Sequence, residues 1–228
     1  MANRNGAKQP CGSDEAGTPS IHWCDLFRGL KHVEVVDPRY ASRSVLDPRV
    51  GARRMTLEDH WRDIEALALH EGAPSTVRIH FDTARNLLLY SWHVFRFQQV
   101  AEMHAYASVE YALRVRAGLP ARSKAKLSRL LPLALKNGWI QDDGFRHYRE
   151  AVGQRRRSEV IEEEVLGKQP APPNLDSFSY VRVLMKVLPE SRNKLAHGTT
   201  MLQPSGKRTL ALCCDLINQL FPIEEARS

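Results

Sequence analysis

The sequence predicts an all-α fold, an up-and-down helical bundle with one long central helix preceded by an irregular N-terminal extension. Three observations support this. The stretch from Thr83 to Ala117 repeats apolar residues at three- and four-residue spacing and is stopped only by Gly118 and Pro120. Shorter runs with the same spacing follow at 123–136, 176–188 and 208–220. No internal repeat, glycine-rich phosphate loop or dinucleotide fingerprint appears among them.

Composition bounds the rest. At 228 residues, the chain is long enough for one sizeable core plus an appended segment. Hydrophobic residues make up 43% and charged residues 26%, which excludes global disorder. The net charge of +7 is carried by arginine, whose planar fork matches phosphate geometry and favours an acidic or nucleic-acid partner. Cys11, Cys24, Cys213 and Cys214 contain no C-x-x-C pair, so they read as structural thiols of a reducing compartment. The polar N-terminus lacks the apolar core of a secretory signal, and 87–100 is interrupted by His93, Arg96, Gln98 and Gln99. A cytoplasmic protein without a membrane span or a bound cofactor is expected.

Residues 1–20 read as a disordered tail and 21–80 as an accessory extension, with Asp37-Pro38 and Asp47-Pro48 as turns. One helix is expected there, capped by Thr56 with Asp59 reaching back. The basic stretch from Arg39 to Arg62 suits either contact with RNA or, the favoured reading, a solvated surface. The bundle itself spans 81–222. Asp82 is expected to cap the long helix, a rod of about 52 Å at about 1.5 Å per residue. Trp92, Phe95 and Tyr106 lie on one stripe and Val94, Phe97 and Ala101 on another, so this helix needs partners on two sides, either bundle helices or a second copy. His93 and His104 on it read as packed or solvated. Residues 123–136 form a shorter helix perturbed by Pro132. The segment 142–174 reads as a charged insertion. Its Arg155-Arg156-Arg157 and Glu162-Glu163-Glu164 blocks suit an exposed helix, and Pro170, Pro172 and Pro173 suit an extended connection. A helix from Asp176 is kinked or restarted at Pro189, and the last helix covers 208–220.

The chemistry concentrates in Arg192-Asn193-Lys194-Leu195-Ala196-His197-Gly198, which follows the apolar run of Val181, Leu184, Met185 and Leu188. In a straight helix Asn193 and His197 share a face, while Arg192 lies about 140° away from His197. Arginine and histidine converge within one chain only if the helix end unwinds, which Gly198 permits. Metal-free RNA cleavage needs a group that takes the 2′-hydroxyl proton and a cation that stabilises charge on the scissile phosphate. Histidine and arginine suit those roles.

This segment resembles the signature of the HEPN domains, small helical bundles of which many are metal-independent ribonucleases. The resemblance extends over roughly 81–220, with Ala84-Arg85-Asn86 at the start of the long helix and Glu102 and Glu110 inside it. It implies a HEPN-like bundle in which His197 transfers the proton, Arg192 holds the phosphate and Asn193 gives a polar hold on either. Glu102 or Glu110 would orient Arg192. It also implies RNA as substrate, a homodimer with one composite site, and a toxin–antitoxin or phage-defence role with an antitoxin protein as a further partner. Members whose signature continues His-x-Tyr are modified on that tyrosine. Thr199 stands in its place, so silencing by that route is not expected. Two other readings remain open: a non-catalytic HEPN-like module that binds RNA or a nucleotide, and a structural or protein-interaction role with the long helix as dimerisation surface. At the residues themselves, Arg192 and His197 would then merely hold the following loop.

Overall fold

The computed structural model describes residues 23–120, 122–166, 179–198 and 205–223. The expected disordered tail and the proline cluster at 170–173 lie outside them. Among the described residues are eight α-helices and one two-stranded hairpin, and the helices pack as a bundle.

The first helix, α1 (Pro38–Ala41), starts at Asp37, which accepts a hydrogen bond from the Arg39 amide at 3.1 Å. Strands β1 (Ser44–Asp47) and β2 (Gly51–Arg54) then pair antiparallel, Ser44 with Arg54 and Asp47 with Gly51. The sequence predicts no strand here. The turn closes because Gly51 takes φ 79° and Asp47 accepts from the Arg49 amide. Helix α2 (Leu57–Glu65) carries the expected capping box: the Asp59 amide donates to Thr56 Oγ1, and the Thr56 amide donates back to the Asp59 carboxylate at 2.8 Å.

The single long helix is replaced by two, α3 (Ser75–Tyr90) and α4 (Phe97–Arg116). No glycine or proline breaks the chain between them. The break is made from outside, by Asp37 of the N-terminal extension. Its amide donates to the Trp92 carbonyl at 2.9 Å and its carboxylate accepts from the Phe95 amide at 3.3 Å, taking groups that a continuous helix would use itself. Helix α3 begins eight residues before Thr83, after Pro74, so Asp82 is an interior residue paired with Arg85 and not a cap. The expected boundary at residue 80 therefore falls inside a helix. Ile64, Leu67, Ala73 and Val77 share one core with Leu113, Leu188 and Leu216, and the extension is part of that core.

Helix α5 (Leu127–Lys136) runs through Pro132, and α6 (Arg146–Leu166) occupies the charged insertion. Helix α7 (Ser179–Ala196) runs through Pro189 to the signature, and α8 (Gly206–Leu220) closes the bundle. Helix α4 packs against α3, α5, α7 and α8 and is the central element. Its first apolar stripe is covered from within the chain: Trp92 and Phe95 just before it pack on Tyr40, and Tyr106 and Val109 lie in the main core. On the second stripe Ala101, Ala105 and Ala112 are buried, whereas Phe97 stays exposed. No helix among the described residues is long and apolar enough to cross a membrane.

Candidate functional site

The signature occupies the last turn and a half of α7. Helical geometry persists to its end, since the His197 amide donates to the Asn193 carbonyl at 3.0 Å. Gly198 then turns left-handed at φ 78°, as expected of a glycine that ends a helix, and its amide donates to the Leu195 carbonyl. The unwinding that would bring Arg192 and His197 together within one chain does not occur before His197. The two side chains leave the helix about 140° apart. Arg192 is half-buried, and Asn193 and His197 are exposed. None of the three side chains hydrogen-bonds to another described residue.

The two candidate supporting carboxylates have other partners. Glu110 forms an i, i+4 ion pair with Arg114. Glu102 is only 7% exposed and accepts from Ser205 Oγ at 2.7 Å and from the Thr209 hydroxyl. Burial pushes its carboxyl above the usual range, and those two hydrogen bonds partly offset the rise. Its role is to fasten the start of α8 to α4. Neither carboxylate orients Arg192.

A polar chain nevertheless leads from Glu102 to the signature. Thr209 also bonds Tyr106, whose hydroxyl reaches Ser191, the residue before Arg192. Desolvation keeps the Tyr106 phenol neutral well above its ordinary value. Together these contacts tie the end of α7 to α4 and α8.

On the far side of Thr209 lies a groove of about 480 Å³, walled by Phe145, Arg146, His147, Tyr180, Arg208 and Leu212. Arg146 is held by Asp215, which accepts from its amide at 2.9 Å and its Nε at 2.8 Å. Arg208 Nη2 donates to His147 Nε2 at 3.2 Å, so its contact is an imidazole and not a carboxylate. Burial raises the Tyr180 phenol, which keeps a neutral ring on this wall. Glu150, Lys207 and Asp215 also line it, so an aromatic face and an aliphatic floor are edged by charges of both signs, a lining that suits a flat polar ligand. Sequence reasoning missed this groove because its walls come from three separated segments, none of which carries a motif.

Other expected features resolve differently. Arg39 bonds Asp25 and Asp37, Arg53 bonds Asp47 and Asp59, and Arg62 bonds Glu58, so much of the basic stretch 39–62 is neutralised locally. His104 stacks on His80 with centroids 4.5 Å apart, and His93 edges a hollow with Trp61 and Tyr90. Cys24, Cys213 and Cys214 are buried and form no disulfide among the described residues, and burial pushes the Cys24 and Cys214 thiols up to about 11. Among the described residues no three His, Cys, Asp or Glu side chains are grouped to hold a metal ion. Comparison with protein-family models, with curated proteins and with solved structures returned no match to this chain.

Proposed function

We propose that this chain is a metal-independent endoribonuclease of HEPN type, acting in toxin–antitoxin or phage defence with RNA as substrate. One observation carries the reading: the Arg192-Asn193-x3-His197 signature sits at the end of a bundle helix with its polar side chains unengaged by described residues and Gly198 turning the chain away. His197 takes the 2′-hydroxyl proton, Arg192 neutralises charge on the phosphate, and Asn193 steadies the phosphate or the arginine. Because the helix keeps Arg192 and His197 on different faces, the reading favours a site completed by a second copy, Arg192 of one chain and His197 of the other meeting one phosphate. The groove beside Arg208 and Tyr180 supports the same substrate class, with room for one nucleotide and a cation at its edge.

Incubating the purified chain with total RNA in EDTA tests this reading. Cleavage is expected under chelation, and none from chains carrying His197→Ala. Intact RNA that is nonetheless bound in a salt-dependent way would instead establish the non-catalytic binding module, which the same groove also suits.

A further inference from the structure

Helices α2 and α3 lie antiparallel. His60 Nε2 meets the Leu88 carbonyl at 3.0 Å toward one end of their contact, and the Arg85 guanidinium donates to the Ile64 and Glu65 carbonyls at the other. Leu57, Trp61 and Glu65 recur at every fourth residue of α2 and so form one stripe along it. Two hollows follow this stripe against α3, with Trp61 and Leu89 as their common wall. The first, about 380 Å³, is lined by Leu57, Trp61, Leu89, Tyr90 and His93 together with Glu58. The second, about 390 Å³, adds Glu65, Asp82, Arg85 and Asn86. One end of this trough is thus aromatic and aliphatic and the other is charged, and the rise from Leu57 to Glu65, about 1.5 Å per residue, sets the two ends about 12 Å apart.

The apolar end is open to solvent. Leu57, Trp61 and Tyr90 are 45%, 45% and 59% exposed, and tryptophan and tyrosine are the side chains that most often anchor one protein on another. The lining carries three carboxylates, Glu58, Glu65 and Asp82, against one guanidinium. That guanidinium is already engaged, because Arg85 bonds Asp82 at 2.6 Å as well as the two carbonyls. Glu58 pairs with Arg62 across the exposed face of α2, where such a pair holds weakly. On a chain of net charge +7, the lining of this trough is therefore negative. Its carboxylates repel phosphates, so its aromatic rings are a poor platform for RNA bases and a good one for an apolar group that travels with a cation.

We propose that the trough between α2 and α3 docks a basic amphipathic helix of a partner protein, whose apolar side chains enter the Trp61 hollow and whose lysine or arginine, one to two turns along, meets Glu65 and Asp82. A helix is the fitting occupant because the groove between two antiparallel helices is the seat that a third helix takes in a bundle. Side chains repeating every fourth residue on the occupant match the repeat of Leu57, Trp61 and Glu65. Charge selects the partner, since an acidic helix would face three carboxylates. This docking is independent of the ribonuclease reading: no residue of the trough belongs to the Arg192–His197 segment, and its readout is capture of a peptide, neither RNA cleavage nor the mass of the chain.

Fluorescence anisotropy of labelled alanine-based helical peptides, about 16 residues long and titrated with the full chain, reads the docking directly. One peptide carries two leucines and a lysine at the spacing of Leu57, Trp61 and Glu65; a second has glutamate for the lysine, and a third has alanine for the leucines. The first is expected to bind, and the other two at least about tenfold more weakly. Trp61→Ala and Tyr90→Ala should each weaken the first peptide by a similar factor with unchanged circular dichroism, and His197→Ala should leave it unchanged. Glu65→Lys should lose the lysine peptide and gain the glutamate peptide, an exchange that misfolding cannot produce. No binding up to about 1 mM, or equal binding of the lysine and glutamate peptides, would overturn the proposal. So would weaker RNA retention by Trp61→Ala, which gives the trough to RNA, or a change in the chain's own sedimentation in that variant without peptide capture by the wild type, which gives it to a second copy.

Discussion

At the scale of the residue, Arg192 and His197 differ from the polar residues around them. Glu102, Tyr106, Thr209 and Ser205 are tied into one another in the interior, whereas Asn193 and His197 face solvent and Arg192 is only half-buried. His197→Ala and Arg192→Ala should each abolish RNA cleavage while shifting the melting temperature by no more than a surface substitution does. Full cleavage by either variant removes that residue from the site, and loss of folding would instead assign it to holding the helix end. Glu102 gives a contrasting expectation. Its folded carboxyl binds a proton more tightly than the unfolded one, so its contribution to stability is full below the ordinary value of 4.5 and is lost as pH rises through the folded value. Glu102→Gln should therefore gain on the wild type as pH rises from about 4 to about 8, measured by urea denaturation across that window. A difference that stays flat with pH would show that Glu102 is charged in the interior.

At the scale of the element, the break between α3 and α4 is the feature that the chain's local pattern conceals. Tyr40 packs on Trp92 and Phe95 there, and its hydroxyl donates to Ser91 Oγ at 2.6 Å and accepts from Gln98 Nε2 at 2.8 Å. Ser91 Oγ in turn donates to the Leu88 carbonyl, which also receives His60 Nε2 at 3.0 Å. Gln98 Oε1 then accepts from the Gly206 amide, so this buried network joins the extension, α2, the break and α8. Tyr40→Phe removes two buried partners at once and should cost about 1 to 3 kcal/mol in denaturation experiments. A cost near zero would mean that water or a rearranged Gln98 replaces the hydroxyl. Gly206 has no room for a side chain, since a Cβ there would lie 2.7 Å from Leu88 Cδ1. Gly206→Ala should consequently lower the melting temperature and loosen the start of α8, beside Ser205 and Thr209.

At the scale of the molecule, the net charge of +7 divides into arginines already matched to carboxylates and arginines left open to solvent or a partner. Arg39, Arg53, Arg85 and Arg146 belong to the first group. If RNA is held through its phosphates by the second, affinity should fall linearly in log–log with salt, each contact to a single strand adding about 0.7 to the slope. Replacing Arg208, whose side chain meets His147 and not a carboxylate, with alanine should reduce that slope by about one contact. Arg53→Ala should leave it unchanged. An affinity independent of salt would remove RNA from the partners.

The sequence by itself determined the helical character, the capping box at Thr56, the ends of the last helices and the Gly198 turn, because each rests on neighbours within one or two turns. It also singled out Arg192, Asn193 and His197, since a motif is a local pattern. Only the tertiary structure decided that the stretch 83–117 is two helices, because the groups that interrupt it belong to Asp37, some 55 residues earlier. It likewise decided that Glu102 and Glu110 serve Ser205, Thr209 and Arg114, and that Arg146, His147, Tyr180 and Arg208 share one groove. The β1–β2 hairpin belongs with these, for its short strands carry too little alternation to register in sequence. Local hydrogen bonds and side-chain periodicity are written along the chain. Which distant donor takes a carbonyl out of a helix is settled only when the chain packs.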